Sequence, residues 1–186
     1  MKKEKKEDIR AQITRKLLNE ALFDLMKKHD FNRITVKQLC DVSNVHRTTF
    51  YAHFEDKYAL LSYAIKQIGK DVEEQLNFKE VHMCLFEVAD KNKDLFAQLF
   101  LEERDSLRSI LRMEMYAAII DRFEKAGKEI QIEQEIMIEA LIGSILGVLN
   151  WWITNNRPIP IEEIYEKVQT LGNLDYYLKS HGMLLK

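Results

Sequence analysis

The chain has 186 residues, 46% hydrophobic and 31% charged, which supplies apolar material for one sizeable core or two small ones and excludes disorder over most of the length. Six glycines and two prolines are too few to reverse the chain at every turn of a β-sandwich or barrel, so a mostly helical protein is expected. The net charge of −2 announces neither nucleic acid nor membrane, but its distribution is uneven: residues 1–60 carry 13 basic against 9 acidic side chains, net +4, and the remaining 126 are net −6.

The opening Lys2, Lys3, Lys5 and Lys6 have no apolar stretch behind them, so they do not form a secretory signal, and a cytoplasmic address is expected. Glu4, Glu7 and Asp8 dilute that charge, which favours a frayed tail over an arm tracking phosphates. Residues 8–29 place Ile13, Leu17, Ala21, Leu22 and Leu25 at three-to-four spacing, the mark of an amphipathic helix. After a break at 29–32, Thr35 is placed to cap a short second helix, with Gln38 reaching back as in a capping box. Residues 41–45 supply a turn in which Asn44 tolerates the left-handed conformation of a tight corner. A second short helix, His46 to Phe54, turns Phe50 and Phe54 inward. From Asp56 to about Gln75 a longer helix repeats Tyr58, Leu61, Ile65, Ile68 and Val72.

Three helices with a short second and third, joined by a tight turn, are the arrangement that sets its last helix into a DNA major groove. The first turn of that helix holds Arg47, whose guanidinium can bond guanine bidentately, with Thr48 and Thr49 able to touch bases or phosphates. Tyr51 and His53 carry polar tips further along, with packing against the first helix as the competing reading. Thr35 and Lys57 open neighbouring helices, whose N-terminal N–H groups favour a phosphate.

The stretch ITVKQLCDVSNVHRTTFYAHFEDKYALL, residues 34–61, resembles the DNA-binding region of the TetR/AcrR family of bacterial one-component regulators, most specifically in Thr49 to Lys57. The resemblance covers about residues 10–61. It implies base-facing positions for Arg47, Thr48 and His46, and phosphate-facing positions for Thr35, Thr49, Tyr51, His53 and Lys57. Two departures stand out: Asn44 replaces the glycine usual in the turn, and His46 replaces a small hydroxyl residue, which leaves the cap of the reading helix open. The C-terminal part, in Trp151-Trp152 and Asn156-Arg157-Pro158-Ile159-Pro160, is similar to the subgroup that includes regulators of dihydroxyacetone kinase operons.

The implied organisation is all-α, about nine helices: a helix-turn-helix domain over 1–55, a connecting helix over 56–75, and a ligand-binding and dimerisation domain within 56–186. Helices are expected at 78–90, 93–101 and 103–126, the last carrying Leu111, Met115, Ile119 and Phe123 and stopping at Gly127. Phe86, Phe96, Phe100, Met113, Tyr116 and Met137 are candidates for an effector pocket, against plain core packing at each position. Residues 136–153 are long and apolar enough to suggest a membrane span, but Glu139 and Asn150 interrupt them, and Gly143 and Gly147 suit a close helix seam. A dimer interface is therefore expected at Gly143, Gly147, Trp151, Ile164 and Val168, with two helical hairpins packed as a four-helix bundle.

Cys40 and Cys84 read as free thiols, and the histidines are too scattered for a metal site. With no phosphate loop, nucleophile elbow or ligand repeat, neither catalysis nor a cofactor is expected. The expected function is a dimeric regulator, a repressor in first place, that binds a palindromic operator and is released by a small-molecule effector. The alternative is a helix-turn-helix turned protein-interaction module or co-activator, and Arg47 argues against it, since a disused reading position is free to turn acidic or bulky.

Overall fold

The computed structural model describes residues 9–73, 81–100, 105–127 and 129–171, apart from the side chains of 71–73, 81–84, 105–106, 165 and 168–171. These residues form α1 (Ile9–Met26), α2 (Val36–Ser43), α3 (Arg47–His53), α4 (Lys57–Glu73), α5 (Val81–Lys91), α6 (Lys93–Leu99), α7 (Asp105–Lys125), α8 (Ile132–Thr154) and α9 (Ile161–Leu171), with one 3₁₀ turn at Phe31–Arg33 and no strand among them. The lysine tail, the Cys84 thiol and the Val168 side chain lie outside the described residues.

Local chemistry accounts for the boundaries. The Thr35 hydroxyl accepts from the Gln38 N–H at 3.2 Å while Gln38 Oε1 accepts from the Thr35 N–H at 2.9 Å, closing the expected capping box at the start of α2. Helix α2 runs on through Ser43, further than the expected turn allowed, and the buried Ser43 hydroxyl is satisfied within it by donating to Leu39 O at 2.7 Å. Asn44 then ends it at φ 52°, and the Val45 N–H returns to Cys40 O at 3.1 Å. Gly127, at φ 65°, ends α7 in the same way.

Helix α1 packs on α2, α3 and α4, α7 packs on α4 and α8, and α6 touches both α1 and α8. One continuous apolar core results, from Leu18, Leu22, Phe31, Leu39, Phe50 and Leu61 at one end to Leu95, Leu99, Leu107, Ile142 and Leu149 at the other. Each side chain that loses its solvent contributes about 1.5–3 kcal/mol. The α1 stripe differs from the expected one: Ile13 and Leu17 are 54% and 40% exposed, and Leu18 and Met26 are buried instead, so the buried residues of α1 all lie in its C-terminal half.

Helix α8 is long and apolar enough to cross a bilayer by length and composition, and 33% of that stretch is buried in the fold. Its Glu139 pairs with Arg112 of α7, and the Trp152 indole N–H donates to Ile159 O at 2.8 Å across the turn into α9. Helix α9 leans on α5 rather than lying along α8 as a simple hairpin. Ile164 is consequently buried within the chain at 2% exposure, which corrects its expected place in a dimer interface. Gly143, Gly147 and Trp151 do lie on the exposed face of α8, and a Cβ added at either glycine would meet nothing within 4 Å.

Candidate nucleic-acid interface and cavity

Phe50, fully buried, and Phe54, at 6% exposure, anchor α3 in the core, their rings 5.9 Å apart. Helical geometry then turns Arg47, Thr48 and Tyr51 outward, and all three are exposed, Tyr51 by 52%. The neighbouring Tyr51 hydroxyl raises the pKa of the Arg47 guanidinium, which is charged in any case, and α3 holds no acidic partner for it. His46 caps the helix. Its Nδ1 lies 2.8 Å from the Thr48 hydroxyl and 3.4 Å from the Thr48 N–H, which answers the question its presence raised and also fixes the Thr48 rotamer.

The expected phosphate-facing residues divide. Thr49 and His53 are half-buried at the edge of the α3 face. The Thr35 hydroxyl donates to Gln38 Oε1 at 2.8 Å, so its proton is engaged inside the capping box. At the start of α4 one Asp56 oxygen accepts the Tyr58 and Ala59 N–H groups, both at 2.8 Å, placing a carboxylate where an anion was expected. Lys57 differs most: its ammonium donates to Phe31 O at 2.9 Å, Asn32 O at 3.0 Å and Ile34 O at 2.9 Å, and lies 4.8 Å from the Phe31 ring centroid. Burial lowers its pKa, partly opposed by Asp56. A phosphate could reach Lys57 only by displacing one of those carbonyls.

Sequence reasoning missed Gln98. From α6 its Oε1 accepts the Phe31 N–H at 2.7 Å, and its Nε2 donates to Met26 O at 2.6 Å and His29 O at 3.0 Å. The segment between α1 and α2 is thus held by Lys57 on one side and Gln98 on the other. An isolated glutamine on a short helix gives no local signal of partners 67–72 residues away.

A cavity of about 350 Å³ lies between α4, α5, α6 and α7, lined by Ile65, Ile68, Val88, Phe96, Leu111 and Met115 among others. Of the six candidates only Phe96 lines it. Phe86 is buried against Trp152, and Phe100 is buried beside Arg108. Met113 and Met137 are 65% and 71% exposed, and Tyr116 is half-buried elsewhere on α7. Residue type alone does not decide the lining. The lining is set by which faces of α4 and α7 oppose each other, and the face of α7 that reaches the cavity carries Leu111, Met115 and Ala118.

Two family profiles match the chain: bacterial regulatory proteins of the tetR family over residues 18–64, and a transcriptional regulator C-terminal region over residues 76–173. The chain is 24% identical over 170 residues to the uncharacterized HTH-type transcriptional regulator YxbF of Bacillus subtilis (strain 168), covering 86% of this chain and 44% of that protein. It is 23% identical over 97 residues to the HTH-type dhaKLM operon transcriptional activator DhaS of Lactococcus lactis subsp. lactis (strain IL1403), covering 50% of this chain and 52% of that one. The chain therefore spans about half the length of the curated relatives it matches. Among solved structures, Lin0861 from Listeria innocua shares the fold with a TM-score of 0.73 at 19% identity, over 91% of this chain and 94% of the other.

Proposed function

Because the chain belongs to the TetR family of transcriptional regulators, we propose that it acts as a cytoplasmic homodimeric repressor, gripping a palindromic operator through α3 and letting go when a small molecule fills the cavity between α4 and α7. In this reading residues 1–55 form the DNA-binding unit, α4 connects, and the rest binds effector and partner. One observation carries it: Phe50 and Phe54 fasten α3 from within while Arg47, Thr48 and Tyr51 face outward as one polar surface. Such a surface suits base edges, with Arg47 as the guanine reader.

Two further features support the regulatory half. Phe96 lines the cavity and Gln98, two residues along the same helix, holds the segment leading into α2, so a ligand that shifts α6 shifts the reading head. The exposed Gly143, Gly147 and Trp151 face of α8 is open to a second copy, which would set two reading helices about 34–36 Å apart or a multiple of one DNA turn.

Footprinting of the intergenic DNA beside the coding region tests the proposal. A protected inverted repeat is expected; a lone subunit in sedimentation that ignores every duplex at low ionic strength would overturn it. Activation is the second reading, favoured by the similarity to DhaS, which is named an activator. A promoter fusion assayed with and without the regulator separates the two by sign.

A further inference from the structure

Deepening the reading of the cavity as the effector site, we infer that its ligand is an amphiphile with an apolar body and one anionic head, the head held by Lys66 and Lys70. The body follows from the walls, where Ile65, Ile68, Val88, Phe96, Leu111 and Met115 offer branched, aromatic and thioether surface and little to hydrogen-bond.

The head follows from charge. Five ionisable side chains reach the lining: Lys66, Lys70, Glu114, Asp121 and Lys125. Three of them are already engaged within the protein. Asp121 and Lys125 form an ion pair one turn apart on α7, and Glu114 accepts the Ser62 hydroxyl from α4. Lys66 and Lys70, one turn apart on α4, form no hydrogen bond or ion pair among the described residues, and both are exposed at the rim. Like charges at this spacing repel each other modestly. Both belong to the lining and both are exposed, and a lysine so placed can lay its stem on apolar surface and hold its ammonium in water, the disposition that receives a carboxylate or phosphate at the mouth of a greasy slot. A neutral apolar ligand would leave that pair unanswered, and although Glu114 keeps its charge beside the neutral Ser62 hydroxyl, three cations outnumber two carboxylates at the lining and favour an anion over a cation.

Calorimetric titration of the full chain with decanoate, decan-1-ol and decyltrimethylammonium separates these cases without DNA present. Decanoate is expected to bind at least tenfold tighter than the other two, with affinity falling as salt is raised. In the double variant Lys66→Gln/Lys70→Gln that preference should vanish while decanol binding stays as it was. Met115→Trp, which fills the cavity, should weaken all binding. Equal affinity for decanoate and decanol, a preference that survives the double variant, or no binding of any of the three would overturn the assignment. Operator footprinting of the unaltered chain keeps the outcomes apart: a protected operator together with no decanoate preference in that chain removes the ligand class and leaves the regulator reading standing.

Discussion

Gln98→Leu keeps the size of the side chain and removes three hydrogen bonds at once, those to the Phe31 N–H and to the Met26 and His29 carbonyls. Each bond of this kind contributes about 0.5–1.5 kcal/mol net, and a buried group left without a partner costs more. Because the site is only partly buried, water recovers some of that loss, and about 2–3 kcal/mol is expected overall. For a chain of this size such a change lowers Tm by about 4–12 °C. The sharper assay is hydrogen exchange at Phe31, whose amide has Gln98 Oε1 as its acceptor. Its protection should fall toward that of an exposed turn, while the Phe50 amide, bonded to His46 O at 3.0 Å, keeps its own. Gln98→Glu retains the acceptor for the Phe31 N–H but sets a charged oxygen against the Met26 and His29 carbonyls, so it should cost at least as much Tm as Gln98→Leu while keeping more of the Phe31 protection. If Gln98→Leu left the Phe31 protection and Tm unchanged, the tie between α6 and the reading head would carry no energy, and coupling would have to run through α4 alone.

Three other substitutions probe separate parts of the reasoning. Arg47→Ala should cost about 1–3 kcal/mol on operator DNA and relax preference at one base position, checked by competition with random duplex; equal losses on both would remove its base-reading role. Lys57→Met should destabilise the fold by about 2–4 kcal/mol, since three bonds from a charged donor disappear, yet leave the salt dependence of DNA binding unchanged. A slope reduced by about one unit would instead place a phosphate on Lys57. Gly143→Leu meets no neighbour within its own chain, so the subunit should keep its helical circular dichroism while sedimentation shows dissociation. A dimer of wild-type affinity would move the seam elsewhere.

Helix positions were legible because each helix carries its own period and end signals. Thr35 with Gln38, Asn44 at the corner and Gly127 after α7 are local devices, readable within four residues. The exposed glycine face of α8 was legible as well, since an apolar helix with small residues in one row must pack somewhere. Which apolar face meets which neighbour was not. Met113 and Met137 have the composition of a ligand wall and point outward, while Lys66 and Lys70, which no motif or period singles out, stand at the cavity rim. Lys57 marks the same limit: its offset from the turn matched a family position, but its carbonyl partners lie 23–26 residues back in the chain.

The short passage from Met26 to Ile34 is stitched from two directions, by an amide reaching down from α6 and an ammonium reaching up from α4. Both stitches grip main-chain atoms, so the side chains of Lys28, Asn32 and Arg33 are at liberty to vary. The number of residues in the passage is not. One inserted residue would move Phe31 off both anchors together, and relatives that preserve this double stitch should differ here by substitution and never by length.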